Sequence, residues 1–105
     1  MANAKRVSKD QGDERHQAAL RQYAAAAKLL PKVACVALVP GPERDLFVYI
    51  DERDLDVVDR LFDIEDLMFE QLGEDMFDVH IRYLEGRPIE QTRPHSAKVV
   101  YQRGE

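Results

Sequence analysis

The first half of the chain shows one helical pattern followed by two short apolar runs. Between Glu14 and Leu30, the larger apolar residues recur every three or four positions, which predicts one face of a helix. Residues 32–39 read KVACVALV, a run too short for a helix that predicts a strand buried on both faces. Residues 40–45 (PGPERD) predict a turn, and residues 46–50 (LFVYI) a second strand. Six linking residues allow a hairpin but no parallel crossover, so we expect antiparallel strands.

The second half repeats this alternation with a longer and more acidic helix. Residues 51–72 carry a broad apolar stripe behind an acidic start, which predicts a helix with Asp51 or Asp54 as its N-cap. Residues 76–84 (MFDVHIRYL) alternate apolar with polar side chains and predict a third strand. This strand is expected to run parallel to the second, because a helix connects the two. Residues 97–101 predict a short final strand.

These elements predict an α+β fold with the order α-β-β-α-β-β. The expected architecture is a small mixed sheet of about four strands with the helices on one face. Residues 1–13 are polar and lack periodicity, so they predict a mobile polar tail, and residues 14–105 predict a single domain. A chain of 105 residues is long enough for one hydrophobic core and too short for two.

The charge of the chain is segregated along its length. The net charge is -5, yet residues 1–32 carry +4, residues 33–78 carry -11 and residues 79–105 carry +2. The acidic middle segment disfavours binding to nucleic acid, which is itself densely negative.

No window of the sequence approaches the roughly 20 apolar residues of a membrane span. Cys35 is the only cysteine and cannot form an internal disulfide. We therefore expect a cytoplasmic protein without a membrane partner.

Four acidic residues follow the polar side of the second predicted helix at helical spacing. They are Asp59, Asp63, Asp66 and Glu70. A face of this kind is usually solvated, and the glycine-bent loop of a calcium site is missing. The four residues are nevertheless candidates for partner binding, because a row of carboxylates can imitate the phosphates of nucleic acid towards a basic protein.

A cysteine nucleophile is a further alternative. Cys35 lies in the first predicted strand and His80 in the third, and Asp78 would orient the histidine if the three side chains met. Nothing in the spacing requires that meeting. We therefore predict that Cys35 is a small core residue without a catalytic role.

The turn between the first two strands belongs to a pattern that points to a family. Residues 38–42 (LVPGP) end the first strand in a glycine turn, and residues 43–48 (ERDLFV) open the second with carboxylates. Residues 77–79 (FDV) place another carboxylate on the third strand. In these residues and in element order, the chain resembles the minimal nucleotidyltransferase fold of the polymerase beta superfamily. The resemblance covers most of residues 14–103.

The resemblance implies a metal-dependent active site. Gly41 matches the glycine of the turn, Glu43 and Asp45 match the acidic pair, and Asp78 matches the third carboxylate. In the family, these carboxylates hold two magnesium ions that align a nucleotide triphosphate with an attacking hydroxyl. The chain departs from the family at the turn. Pro42 stands where the family has a serine, the residues that normally separate the turn from the acidic pair are missing, and Glu43 replaces an aspartate.

The predicted function follows from these departures. Proline supplies no N–H group to grip a phosphate, so we predict a nucleotidyltransferase-like fold without transferase activity and without a cofactor. The broad apolar helix face and the exposed strand edges predict association with a second copy or with a protein partner. The first alternative is a metal-dependent nucleotidyltransferase that uses magnesium held by Glu43, Asp45 and Asp78. The second alternative is acidic imitation of nucleic acid.

Overall fold

The computed structural model describes the backbone of residues 2–42 and 44–104, and the side chains of residues 14–42 and 44–104. This part of the chain contains three α-helices, four strands and one 3-10 turn. In chain order they are α1 (Ala2–Ala27), β1 (Val33–Val39), β2 (Asp45–Ile50), α2 (Leu55–Leu72), the 3-10 turn (Gly73–Asp75), β3 (Asp78–Tyr83), α3 (Ile89–Thr92) and β4 (Lys98–Gln102).

The four strands form one mixed sheet in the order β3-β2-β1-β4. β1 pairs antiparallel with β2 and with β4. β2 and β3 run parallel and pair residue by residue, from Asp45 opposite Asp78 to Ile50 opposite Tyr83. The hairpin and the parallel crossover are therefore confirmed. β3 and β4 form the two edges of the sheet.

Helices α1 and α2 cover one side of the sheet, which we call the helix face. α1 contributes two alanines to this contact, and their small side chains let the helix lie close to the strands. Burying each large apolar side chain in this core contributes about 1.5–3 kcal/mol. The buried core residues are Ala19, Tyr23, Ala27, Leu30, Val33, Val36, Leu46, Val48, Ile50, Leu61, Met68, Leu72 and Phe77.

The other side of the sheet, which we call the open face, carries a smaller core. Its buried residues are Ala34, Cys35, Ala37, Tyr49 and Leu84. The segment between β3 and β4 covers part of this face, where Ile89 of α3 packs against the smaller core. The register of β1 against β2 shifts between Val33 and Cys35, and this irregularity turns both Ala34 and Cys35 towards the open face.

Two capping residues set the ends of α2. The Asp54 carboxylate accepts hydrogen bonds from the backbone N–H groups of Asp56 and Val57, so Asp54 is the N-cap. Lys32 donates to the same carboxylate at 2.7 Å, and this hydrogen bond is the main reason why the pKa of Asp54 is lowered. Gly73 follows the helix at φ 58°, a region that favours glycine. These contacts fix the residues at which α2 begins and ends.

The predicted α+β class is confirmed, with α1 and α2 on one face of a four-stranded mixed sheet. α1 begins at Ala2 rather than at Glu14. The side chains before Glu14 lie outside the described residues, so the division into a tail and a domain stays a prediction.

The one-turn helix α3 was not predicted; Thr92 stabilises it by donating to the Pro88 carbonyl at 2.8 Å. Among the described residues, no helix combines the length and the apolarity needed to cross a membrane.

Candidate functional site

Asp45 and Asp78 meet at the start of the two parallel strands. They are the first residues of β2 and β3, and the register places them directly opposite each other. His80 follows on the same side of β3, because side chains two residues apart share a face. Its Nε2 lies 3.0 Å from Asp45 Oδ1 and 3.5 Å from Asp78 Oδ2. The strand pairing therefore builds a cluster of two carboxylates and one imidazole.

The cluster lies on the open face and is supported by Phe47. The imidazole ring of His80 stacks on the Phe47 ring with centroids 4.8 Å apart and planes inclined by 20°. The Arg82 guanidinium lies 5.5 Å from the centroid of the same ring, within the range of a cation–π contact. Asp78 is the most exposed member of the cluster, with 64% of its side chain accessible to solvent. The site is therefore a shallow, open surface.

The donor set fits a divalent cation in type and separation. One ligand atom from each of Asp45, Asp78 and His80 can be chosen so that all three lie within 4.8 Å of one another. Carboxylate oxygens suit magnesium and manganese, and the imidazole adds affinity for zinc or nickel. The carboxylate of Asp45 can only accept, so His80 donates to it from Nε2. A metal bound at Nε2 would require the other tautomer of the ring.

The structure brings together only part of the active site that the resemblance implies. Asp45 and Asp78 are adjacent, as the resemblance requires, whereas Glu43 lies outside the described residues. Gly41 lines a cleft of about 250 Å³ together with Arg44 and Phe77. Phe77 belongs to the core of the helix face, so this cleft and the carboxylate cluster lie on opposite faces of the sheet.

His80 is the site residue that the sequence reasoning did not join to Asp45. Its position two residues after Asp78 is visible in the sequence and predicts a shared face on one strand. Its approach to Asp45 depends on the register of two strands joined by a long crossover, and the sequence pattern does not specify that register.

Cys35 and His80 do not form the alternative nucleophilic pair. Cys35 is fully buried in β1 and lies opposite Tyr49, while His80 lies opposite Phe47. β2 separates the two strands throughout. The prediction that Cys35 is a core residue is confirmed, because burial excludes the access that a nucleophile needs.

The acidic side of α2 is a solvent-exposed surface. Its residues Asp59, Asp63, Asp66 and Glu70 are all exposed, as the helical spacing predicts. Exposure agrees equally with a solvated face and with a surface that imitates nucleic acid. Binding of a basic partner there stays a prediction.

The outer edge of β3 is available for backbone pairing. Within residues 2–42 and 44–104, no strand pairs with β3 on the side away from β2. Asp78 N–H donates to the Arg44 carbonyl of the neighbouring chain segment, and Leu84 N–H donates to the Ile50 carbonyl. Even-numbered residues of β3 therefore direct their backbone groups towards β2. The odd-numbered residues direct theirs outwards.

Three large apolar side chains of α2 are exposed along one line of the helix. Leu55, Phe62 and Phe69 are spaced seven residues apart and have 61%, 50% and 57% of their surface accessible. We call these three residues the α2 stripe. Part of the broad apolar face of α2 is therefore exposed to solvent. Leu61, Met68 and Leu72 form its buried centre.

The α2 stripe lies on the side of the helix that is nearest β3. Glu65 is one turn from both Phe62 and Phe69, and the charge of Asp78 in β3 contributes to its raised pKa. On the opposite side of α2, Gln71 donates to Gln22 of α1 at 2.6 Å. The stripe therefore faces away from α1.

Comparisons with protein-family models, with curated proteins and with solved structures found no match to this chain.

Proposed function

We propose that this protein functions by binding another protein chain through the β3 edge and the α2 stripe, rather than by catalysis. The observations that support this proposal are an unpaired six-residue edge strand and three exposed large apolar side chains on the side of α2 that faces away from α1. Scattered exposed apolar residues are common on any protein surface. Here Leu55, Phe62 and Phe69 recur every seven residues along one side of α2.

An incoming strand would gain two kinds of contact at this surface. Its backbone would pair with the outward N–H and C=O groups of Val79 and Ile81, which is how many domains recognise extended chains. Its apolar side chains would cover the α2 stripe. Removing apolar surface from water contributes about 25 cal/mol per Å², so this cover supplies most of the affinity.

A photo-crosslinking experiment tests the proposal. Phe62 is replaced by a benzophenone-bearing phenylalanine analogue, and the control carries the same analogue at Leu29, which is 76% exposed but lies between α1 and β1. Irradiation is done in the cells that express the protein. We expect a discrete protein adduct from position 62, lost when Ile81 is replaced by proline, and none from position 29. Absence of any adduct at position 62 would overturn the proposal.

A second candidate function is favoured by the meeting of Asp45 with Asp78. In this alternative, the two carboxylates and His80 bind a divalent cation, and the chain acts as a metal-dependent nucleotidyltransferase. The test is a titration with Mn²⁺ in the presence and absence of nucleotide triphosphate, with backbone NMR signals as the readout. Selective broadening at residues 45, 78 and 80 supports metal binding. If the backbone NMR signals of these residues show no selective broadening up to millimolar Mn²⁺, the cluster does not bind a metal ion.

Nucleotide contacts separate metal binding from transferase activity in the same titration. A transferase requires that the triphosphate perturbs signals close to Asp45 as well as those of the glycine turn. The cleft beside Gly41 opens on the helix face, whereas the carboxylates lie on the open face. A metal response without any nucleotide response supports a metal-binding protein and counts against the transferase.

A further inference from the structure

We infer that the partner at this surface is a second copy of the chain, joined through antiparallel pairing of β3 with β3 about a two-fold axis at His80. The inference rests on the proposed function and names its partner. In this arrangement Val79 lies opposite Ile81 of the second copy, and Asp78 lies opposite Arg82 of the second copy. Two four-stranded sheets become one eight-stranded sheet.

The backbone groups of β3 favour this register. Val79 and Ile81 direct their N–H and C=O groups outwards, so pairing each with the other residue of the second copy makes four hydrogen bonds. The Ile81 carbonyl otherwise meets Arg82 Nη1 at 3.5 Å, a length at which a hydrogen bond is weak. A register moved by two residues towards the C-terminal end of β3 would need the Tyr83 carbonyl, which already accepts from Arg87 at 2.7 Å.

The charges of β3 are self-complementary in the same register. Asp78 and Arg82 lie on the open face, both are exposed, and they stand two residues either side of His80. The two-fold axis therefore places each carboxylate opposite a guanidinium, which gives two ion pairs across the interface. In the register moved by two residues, Asp78 would instead oppose Leu84, and Arg82 would oppose His80. A partner of a different sequence would lack this symmetric match.

The same two-fold axis also brings the helix faces of the two copies together. The two-fold axis sets the α2 stripe of each copy antiparallel to that of the other, because in both copies α2 lies on the helix face and connects β2 to β3. An aromatic side chain buries roughly 150–250 Å², so the half-exposed stripe supplies roughly 300 Å² per copy. A stable interface needs about 800 Å² per copy, and the edge strand with its neighbours supplies the remainder.

A charge-exchange experiment tests the partner and the register together. The variants are Asp78→Arg and Arg82→Asp, each examined alone and in an equimolar mixture by sedimentation velocity and native mass spectrometry. Each variant alone places like charges opposite each other, so we expect its dimer to be about tenfold weaker than that of the wild type. The mixture restores both ion pairs, so we expect a heterodimer of nearly wild-type affinity. A mixture no stronger than either variant overturns the register.

A disulfide experiment tests the same register through a covalent bond at the two-fold axis. His80→Cys places two cysteines opposite each other at the two-fold axis, and mild oxidation is expected to give a covalent dimer. Arg82→Cys is the matched control, because in this register its partner is Asp78. Cys35 is buried and does not compete. Equal yields from the two variants overturn the register even if the charge variants fold poorly.

The outcomes separate this inference from the proposed function. A wild-type chain that stays monomeric at millimolar concentration overturns self-association. If position 62 then still crosslinks to a different protein in an Ile81-dependent manner, the proposed function stands with another partner. If position 62 crosslinks to nothing, both fail.

Discussion

The two edge strands of the sheet differ in how readily a strand of another chain could pair with them. β4 has five residues, begins with the exposed Lys98 and carries an irregularity at Val100, where its register against β1 shifts. Arg103, just beyond it, donates to both carboxylate oxygens of Asp51, at 2.7 and 2.8 Å, and to the Pro31 carbonyl at 2.8 Å. β3 has six residues in regular register and no lysine or proline.

This difference shows which edge is fit for a partner. Short strands, bulges and lysines at an edge are the features by which sheets avoid pairing with other chains. β4 has all three, whereas β3 has charges only at Asp78 and Arg82. In a two-fold pairing of β3 those two charges neutralise each other across the interface, so they select a second copy instead of repelling it. The α2 stripe then adds apolar area at β3, whereas α1 lies above β1 and contacts β4.

The largest effect is expected from blocking the backbone of β3. Ile81→Pro removes an outward N–H from each copy and leaves two carbonyl groups of the interface without donors. Each unsatisfied group costs about 1–3 kcal/mol, so the two together cost at least about 2 kcal/mol, and we expect dimerisation to weaken at least about thirtyfold in sedimentation measurements. Proline is tolerated at an edge position whose N–H faces outwards, so the monomer is expected to fold.

Two matched variants show whether this effect belongs to the backbone of β3. Ile81→Ala removes the side chain but keeps the N–H, and we expect a much smaller loss of affinity. Gln102→Pro places proline in β4 next to Arg103, whose own N–H points towards β1. We expect Gln102→Pro to leave dimerisation unchanged. If the β4 variant weakens the dimer as much as the β3 variant, the two edges are equivalent and the comparison is wrong.

Removing the contact beyond β4 should affect stability and not association. Arg103 and Asp51 are each about half exposed, so we expect Arg103→Ala to lower the free energy of unfolding by about 1 kcal/mol. The hydrogen bond from Arg103 is the main cause of the lowered pKa of Asp51. The contribution is therefore present above the ordinary pKa of 3.8 and is lost as the pH falls through the folded-state value.

Denaturant unfolding of the wild type and of Arg103→Ala tests this dependence on pH. The difference between the two chains is expected at neutral pH and should vanish well below pH 3.8. Asp51→Asn is the companion variant and should give a similar loss at neutral pH. A stability difference that persists unchanged in acid would mean that Arg103 acts through packing or through the Pro31 carbonyl.

The face that each strand residue occupies could be predicted from the sequence, because strand alternation is local. The apolar residues Val79 and Ile81 face the helices, while Asp78 and His80 face the open side, as the alternation indicates. The family resemblance named Asp45 and Asp78 as candidates for one site but left open whether they meet, and the strand pairing places them opposite each other. The approach of His80 to Asp45 could not be predicted, because the register of a parallel pair depends on how α2 packs across the sheet.

The order of the strands and the exposed part of α2 could not be predicted from local patterns. Which strand β4 joins is decided by tertiary packing, and that choice makes β3 an edge. The apolar face of α2 spans a wider arc than the sheet can cover. Leu61 and Met68 are buried at its centre, whereas Phe62 and Phe69 remain at its border. Periodicity identifies the apolar face but gives no measure of how much of it the fold covers.

A smaller effect is expected from Glu65, which lies between Phe62 and Phe69 on α2. Burial is the main cause of its raised pKa, and the charges of Asp66 and Asp78 contribute. Its ionisation in the folded state is therefore unfavourable, so stability falls as the pH rises from the ordinary value of 4.5 through the folded-state pKa. We expect Glu65→Gln to remove this fall and to raise stability at neutral pH by less than about 1 kcal/mol.

The dimer gives Glu65→Gln a second readout. Pairing through β3 buries the surroundings of Phe62 and Phe69 further, so the neutral side chain should tighten dimerisation by roughly two- to fivefold. Asp63→Asn on the exposed acidic side of α2 is the control and should leave dimerisation unchanged. Equal effects from both substitutions would indicate general charge repulsion between the acidic chains rather than a local contact at the α2 stripe.

The last prediction concerns Tyr23, which lies inside the helix-face core. Its hydroxyl is buried and has no hydrogen-bond partner among the described residues, and burial followed by the charge of Glu65 raises its pKa. Tyr23→Phe removes an unsatisfied polar atom without emptying the core, so we expect stability to rise by up to about 1 kcal/mol in thermal unfolding. Tyr101→Phe is the half-buried control. Because Tyr23 is buried in the core and is not part of the proposed interface, the dimerisation constant should not change; a change would show that the core and the β3 edge are coupled.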